Sequence, residues 1–390
     1  MRRHRIDYAL LAFTLLLVFA SLLSIYEIGP RVALSEGGNP NAYFQKHLLS
    51  VIVSGVAMAL GFFISKKKLD KYVKAIMIGA LALNFIVPIL GFLHVPPAVC
   101  TLGACRWVNI GIGTIQPVEI LKVAILFYVP WLIKSRKEQG TYGQKELWVP
   151  LITLMVVVGI VIGKMQSDLG DTVVIALMIG AMLLVEGLSW KQIGAIAAIC
   201  VVGGLILIGG SDYRGDRIEE WQGGENYHVQ SALVSLGTGG LFGVGLGNSV
   251  SSTGYLPEAV NDSIFAILGE LYGFFGLMLV LLVYLLQWRQ LLSIAQRTVE
   301  KQDALFVAGV FVWIFAHVII NVWGQVSLIP MKGITLPFLS AGGTSMVFLA
   351  YVIGTCLQIS QWTSRETVNE DISSGGRQRR TRHASYRRRT

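Results

Sequence analysis

The chain has 390 residues, 54% of them hydrophobic and 14% charged, with a mean hydropathy of +0.62 and a formal net charge of +9. Soluble domains carry about a quarter charged residues, so this composition excludes a soluble globular protein. Several stretches of roughly 18–22 residues have almost no charge, enough to cross a hydrocarbon core of about 30 Å as a helix. Lipid offers no partner to an unpaired backbone group, which leaves helices or a closed barrel, and long unbroken apolar runs select helices. The sequence predicts an all-α polytopic membrane protein.

The first predicted span, about Asp7 to Ile25, follows the basic "MRRHR". Its apolar run is too long for a secretion signal and lacks a small-residue cleavage site, so it reads as a retained helix. Nine more spans follow near 47–65, 74–94, 117–133, 148–164, 169–187, 190–209, 263–287, 303–325 and 340–361. With the N-terminus inside, the inner segments hold 24 of the 32 Lys and Arg residues. An odd number of spans would spoil this positive-inside asymmetry, so both termini are expected in the cytoplasm. The net charge then reports orientation, and no nucleic-acid partner is expected.

Residues 1–362 form one membrane domain on this reading, with a long outer loop, 210–262, between spans seven and eight. The tail 363–390 ends in "RQRRTRHASYRRRT", seven Arg in fourteen residues. It is expected to be disordered and drawn to anionic lipid or an acidic partner, and a solvated topology determinant fits it equally. Cys200 and Cys356 fall within spans as packing residues. Cys100 and Cys105, in "AVCTLGACRW", sit in an outer loop where a small disulfide-closed ring and two free thiols both fit. In the long loop, "ENYHVQSALVSLG" has a helical apolar pattern too short to span and suited to the membrane interface. The following "GTGGLFGVGLGNS" superficially offers a phosphate loop. No buried strand precedes it, so close packing or tight turning of backbone is the stronger reading.

Ionisable groups inside a bilayer usually face a bundle interior or a water-filled cavity and pair with one another. Three clusters qualify, all toward the outer face. In "CRWVNIGIGTIQPVEILKVAIL", Arg106 and Trp107 precede a short loop, and Gln116, Glu119 and Lys122 open span four. Glu119 and Lys122 share a helical face, which suits an internal ion pair or a groove wall for an anionic headgroup. "SDYRGDRIEEW" adds Arg214 and Arg217, alone an ordinary charged surface. "GYLPEAVNDSIFAILGE" brings Glu258, Asp262 and Glu270, and "IPMKGITLPFLSAGGTSM" adds Lys332 and Ser340. Asp262 stands where a helix N-cap belongs and Glu258, after Pro257, where a short helix begins. Glu270 lies about 12 Å further along the helix and needs a buried partner or a protonated state. This inventory suits a lipid-tailed substrate with an anionic head, and equally a transporter.

At these motifs the chain resembles the shape, elongation, division and sporulation family of bacterial membrane proteins, represented by RodA and FtsW. "RWVNIGIGTIQPVEILKVAIL" is similar to the family's Arg-Trp…Gln-Pro-x-Glu-x-x-Lys segment, and "QSDLGDTVVI" resembles its Gln-Pro-Asp-Leu-Gly turn. "YRGDRI", "VQSALVSLGTGGLFGVGLGNS", "YLPEAVNDSIFAILGE" and "LPFLSAGGTSM" resemble its next four motifs, in the same order. "PMKGITLPFLS" keeps a Lys-Gly-x-Thr-Leu-Pro pattern similar to the division branch rather than the elongation branch. Departures are Val260 and Asn261 for a usual His-Thr, Ser263 for a Phe, Ser167 for the turn proline, Ala341 for a common Tyr and Leu271 for the second of two Glu.

The resemblance implies ten spans and a peptidoglycan glycosyltransferase that polymerises lipid II into β-1,4 glycan strands outside the cytoplasmic membrane. It implies Asp262 as the general base. Arg106, Lys122, Arg214, Arg217 and Lys332 become candidates to stabilise the pyrophosphate leaving group, with Glu119 and Glu270 orienting them and Trp107, Gln116, Glu258 and Ser340 lining the substrate site. No cofactor is evident, with a divalent cation, Mg2+ or Mn2+, left open. Implied partners are lipid II and polyprenyl-linked glycan, a class B penicillin-binding transpeptidase of the FtsI type, and other division proteins. A lipid flippase or transporter and a non-catalytic division scaffold are the rival classes.

Overall fold

The computed structural model describes residues 6–362 except 102–103, 112, 143–144, 189–191, 193, 195–202, 204–218, 220, 222, 224–225 and 332. In chain order the described helices are α1 (Tyr8–Ser35), α2 (Ala42–Phe63), α3 (Lys66–Leu69), α4 (Val73–Phe92), α5 (Pro117–Glu138), α6 (Lys145–Val158), α7 (Leu169–Glu186), α8 (Tyr227–Gly239), α9 (Ile264–Arg297), α10 (Lys301–Gln325) and α11 (Gly343–Ser360). α6 runs on into a π-helical segment, Gly159–Met165. Among the described residues, eight helices are long and apolar enough to cross a membrane. α5, at 22 residues, matches them in length but carries Glu119 and Lys122 near its outer end. Nine predicted spans fall on these nine helices. Nearly all of the span at 190–209, and the basic tail, lie outside the described residues.

Polarity is inverted relative to a soluble fold. Thr14, Ser21, His47, Asn84, Lys122, Gln166 and Gln287 are buried, whereas Phe19, Ile52, Val56, Phe63, Ile78 and Leu279 face outward. An apolar exterior costs nothing against lipid, and the interior polar groups find partners across helices. α10 is the most deeply buried of the eight. It packs against α7, α9 and α5 and so forms the axis of the outer site.

Three local features depart from the reading in spans. α1 continues ten residues past its predicted end, through Pro30. Gly29 lets α2 approach this extension closely, since a Cβ there would meet that of Tyr43 at 3.2 Å. Second, the outer loop after α4 is a small antiparallel sheet, β1 (Ala98–Thr101), β2 (Ala104–Asn109) and β3 (Thr114–Ile115), in the order β1-β2-β3. Cys100 and Cys105 are cross-strand neighbours in it and are joined as a disulfide.

Third, α9 is broken at Gly273, whose φ of 66° and ψ of −168° lie outside helical space. Around the break, the glycine-rich segment makes four backbone bonds with α9. Val244 and Gly245 donate to the Glu270 and Leu271 carbonyls at 2.9 and 3.1 Å, while Phe274 and Phe275 donate to Gly240 and Leu241 at 2.9 and 3.2 Å. A Cβ on Gly243 (φ +83°) would run into the Leu271 carbonyl. The glycine run therefore serves close backbone approach, as its lack of a preceding strand implied.

Candidate active site

Pro117 opens α5, where its missing N–H is not needed, and Glu119 and Lys122 follow on the same buried face. Lys122 is fully buried. Its Nζ donates to Glu119 Oε1 at 2.8 Å and to Asp171 Oδ1 at 3.1 Å, the latter from the first turn of α7. A third neighbour is His317 Nε2 on α10, 3.2 Å away, which also accepts from Trp313 Nε1 at 3.1 Å. Two donors converging on Nε2 require a lone pair there, so the ring is neutral with its proton on Nδ1. The Trp313 ring lies under the ammonium, 4.9 Å from its centroid.

The network runs outward from Lys122. Gln116 Nε2 donates to Asp171 Oδ2 at 3.5 Å and to Asp168 Oδ2 at 3.4 Å. Arg106, on β2, ends the chain with Nη1 3.4 Å from Asp168 Oδ2, its side chain 27% exposed. Asp168 also caps α7, with Oδ1 accepting from Asp171 N at 3.0 Å. Burial beside the Asp171 carboxylate pushes the Asp168 carboxyl up, and Arg106 opposes this. Four residues singled out in the sequence, Arg106, Gln116, Glu119 and Lys122, are thus brought together. Trp107 sits beside Arg106 on β2, half-buried and paired with Val99.

Ser167, just before this carboxylate pair, has φ +53°, a value that a proline ring forbids. The turn into α7 is therefore built differently from one with proline at that position, and it follows the π-helical segment directly.

The second part of the site is the turn before α9. Asp262 is 8% exposed. The expected cap is corrected here: α9 begins at Ile264 with Ser263 as N-cap, and Ser263 makes no side-chain cap bond. Its Oγ donates to Pro257 O at 2.8 Å and meets His228 Nε2 at 2.6 Å. The N–H of Ala266, which a capping side chain would take, donates to Gln325 Oε1 from α10 at 2.7 Å. Glu258 begins no helix either; it is exposed, at φ +50°, and its Oε2 accepts from Asn261 Nδ2 at 2.7 Å.

A loop leading to α11 backs this turn. Ala341 N donates to Val260 O at 2.8 Å, and Ser340 Oγ accepts from Leu336 N at 2.7 Å. Tyr284 of α9 donates to Pro337 O, and Ser21 of α1 donates to Leu339 O at 2.8 Å. With Asn321 of α10 donating to Ile334 O at 2.8 Å, three helices therefore fix the loop. Gly333 faces the carboxylate: a Cβ on it would lie 3.6 Å from Asp262 Oδ2.

Glu270 belongs to neither part. Its carboxylate accepts from Ser249 Oγ at 2.7 Å and Val250 N at 2.9 Å, and so holds the end of the glycine-rich segment. These are the buried partners that its position demands. Arg214, Arg217 and Lys332 lie outside the described residues. Sequence reading did not single out Asp168, Asp171, Trp313, His317, Asn321 and Gln325. For the α10 group a signal existed: "WIFAHVIINVWGQ" carries a Trp or polar residue at every fourth position of an apolar span. Among the described residues no group of three His, Cys, Asp or Glu side chains forms a metal site. The clustered carboxylates already serve Lys122, Gln116 and Arg106, a donor set that does not fit a divalent cation.

Residues 8–365 match the model of the FtsW/RodA/SpoVE family, described as cell cycle proteins. A probable peptidoglycan glycosyltransferase FtsW of Nitrosomonas europaea is 31% identical over 372 residues, covering 92% of this chain and 94% of that one. A chain from a peptidoglycan synthase complex shares the fold at TM-score 0.73 and 19% identity, covering 93% of this chain and 99% of its own. The rod shape determining protein RodA of Thermus thermophilus does so at TM-score 0.67 and 20% identity, covering 93% and 98%. With residues 8–365 matching the family model and a relative 31% identical across nearly its whole length, this multi-pass membrane chain belongs to the FtsW/RodA/SpoVE family of cell cycle proteins.

Proposed function

We propose that the protein is a peptidoglycan glycosyltransferase of the FtsW type, polymerising lipid II at the outer face of the cytoplasmic membrane for septal synthesis. The observation that carries this reading is the Asp262 turn. A nearly buried carboxylate is presented against the Gly333 loop while another residue caps its helix.

The acceptor's 4-hydroxyl oxygen attacks the anomeric carbon of the donor MurNAc. The hydroxyl proton passes to the Asp262 carboxylate as the C–O bond to the polyprenyl pyrophosphate breaks. One in-line displacement inverts the α-linked donor to a β-1,4 product and needs a single general base. The pyrophosphate gains negative charge as it leaves, where a fixed cation is most useful. Arg106, at the exposed end of the network, is the described cation placed to meet it. Lys122 is neutralised by Glu119 and Asp171, so it orders the site from beneath. Arg214, Arg217 and Lys332 complete the cationic set in this reading, with Trp107, Gln116, Glu258 and Ser340 around the substrate.

Both termini face the cytoplasm in this proposal, and the basic tail meets anionic lipid. The partner is a class B penicillin-binding transpeptidase. The test is glycan-strand formation from lipid II by the purified full chain with that partner in detergent. Asp262→Asn stops it while the protein stays folded. Undiminished strand formation by Asp262→Asn sinks the assignment, and lipid II movement in sealed vesicles without polymer favours a flippase instead.

A further inference from the structure

Trp313, His317, Asn321 and Gln325 are buried and recur at every fourth position along one face of α10. The first two meet Lys122, and the last two meet the Asp262 turn. One helical turn, about 6 Å of rise, separates His317 from Asn321. The two parts of the site are thus strung on a single stripe.

Asn321 and Gln325 use every amide hydrogen they have. Asn321 Nδ2 donates to the Asp262 carbonyl at 2.7 Å and to the Ile334 carbonyl at 2.8 Å. Gln325 Nε2 donates to the same Asp262 carbonyl at 2.7 Å and to Asn321 Oδ1 at 2.7 Å. Gln325 Oε1 then accepts from Ala266 N. The three backbone groups held are Asp262's own carbonyl, the N–H that a cap on α9 would take, and the carbonyl following Gly333. Together these set where the Asp262 carboxylate sits relative to the loop facing it. A leucine pair would fill the same space without desolvating two amides, so what the amides add is a fixed position.

We infer that Asn321 and Gln325 are positioning residues for Asp262. They fix its backbone and cap α9 in its place, so the carboxylate is directed at the Gly333 loop rather than engaged at the helix N-terminus. This rests on the reading of Asp262 as general base.

The test compares Asn321→Leu and Gln325→Glu with Gln287→Leu in the lipid II assay, using the full chain with its transpeptidase. Gln287 is an equally buried amide, bonded to Thr14 at 2.9 Å on the part of α9 beyond its break. Gln325→Glu preserves shape and the acceptor for Ala266 but loses both donors. Misplacing a reacting group by about 1 Å costs up to about a hundredfold in rate. Both site variants are therefore expected to lose about tenfold to a hundredfold in kcat, with KM for lipid II little changed. The acidic limb of their pH–rate profile is expected to move, while Gln287→Leu loses activity only in step with thermal stability. Site variants that behave like Gln287→Leu, or keep wild-type kcat and pH profile, overturn the inference. Should Asn321→Leu not fold, the isosteric Gln325→Glu decides alone. Asp262→Asn run alongside separates the two claims. Full activity there removes the general base itself; an inactive Asp262→Asn beside a normal Gln325→Glu removes only the positioning.

Discussion

The Lys122 cluster and the Asp262 turn share α10 but are held by opposite means. Around Lys122 the side chains hold one another: two carboxylates and a neutral imidazole converge on one buried ammonium away from water. At the turn, neutral amides hold the backbone, and none of their five bonds runs to the carboxylate. Removing a charge from the first should unbalance the fold. Removing one from the second should chiefly remove chemistry.

The sharpest way to break that contrast is Asp262→Asn. Loss of a positioned general base lowers turnover by about a hundredfold to ten-thousandfold. The backbone bonds to Asn321 and Gln325 persist, so the melting temperature in detergent should stay close to wild type. A large drop in melting temperature would show that the turn, like the cluster, depends on its charge.

Lys122→Met is the mirror experiment. It leaves Glu119 and Asp171 buried without their cation, and breaking a buried pair from one side costs about 3–5 kcal/mol. Activity and thermal stability should fall together. A stable but inactive variant would move Lys122 from the fold to the chemistry.

The sequence made the cluster legible and the turn only half so. Glu119 and Lys122, three apart and preceded by Gln-Pro, already lay on one helical face. Their third partner, Asp171, sits in another helix, and no spacing within one element reveals a contact between two. Asp262 was visible as a costly carboxylate, yet local pattern cast it as a cap; the bond such a cap would make, to Ala266 N, comes instead from Gln325, 59 positions further on. The ten-residue extension of α1 runs on through Gly29 and Pro30, a pair that more often ends a helix than sits inside one. The hairpin around Cys100 and Cys105 was missed because its strands are four and six residues long and carry little alternation.

Gly243→Ala probes what holds the first half of α9, the segment that begins just after Asp262. At φ +83° an L-residue is strained by about 1–2 kcal/mol, and its Cβ would also press on the Leu271 backbone. Hydrogen exchange at Val244, Gly245, Phe274 and Phe275 should rise before the rest of the chain opens. Unchanged protection there would mean that the break is held by α8 packing rather than by the four backbone bonds.

Arg106→Lys has the smallest expected effect on the fold and is the finest test of the contrast. The Arg106–Asp168 pair is 3.4 Å long, and its arginine is 27% exposed. Solvent screens such a pair to within about 1 kcal/mol of nothing. Thermal stability should therefore barely change. A lysine keeps the point charge but loses the planar fork that binds phosphate oxygens in pairs. If Arg106 meets the leaving pyrophosphate, kcat and kcat/KM should fall by a similar factor, because the lost interaction forms only as charge develops. A rise in KM with kcat unchanged would instead place Arg106 on the bound headgroup before reaction, leaving the transition-state charge to another cation.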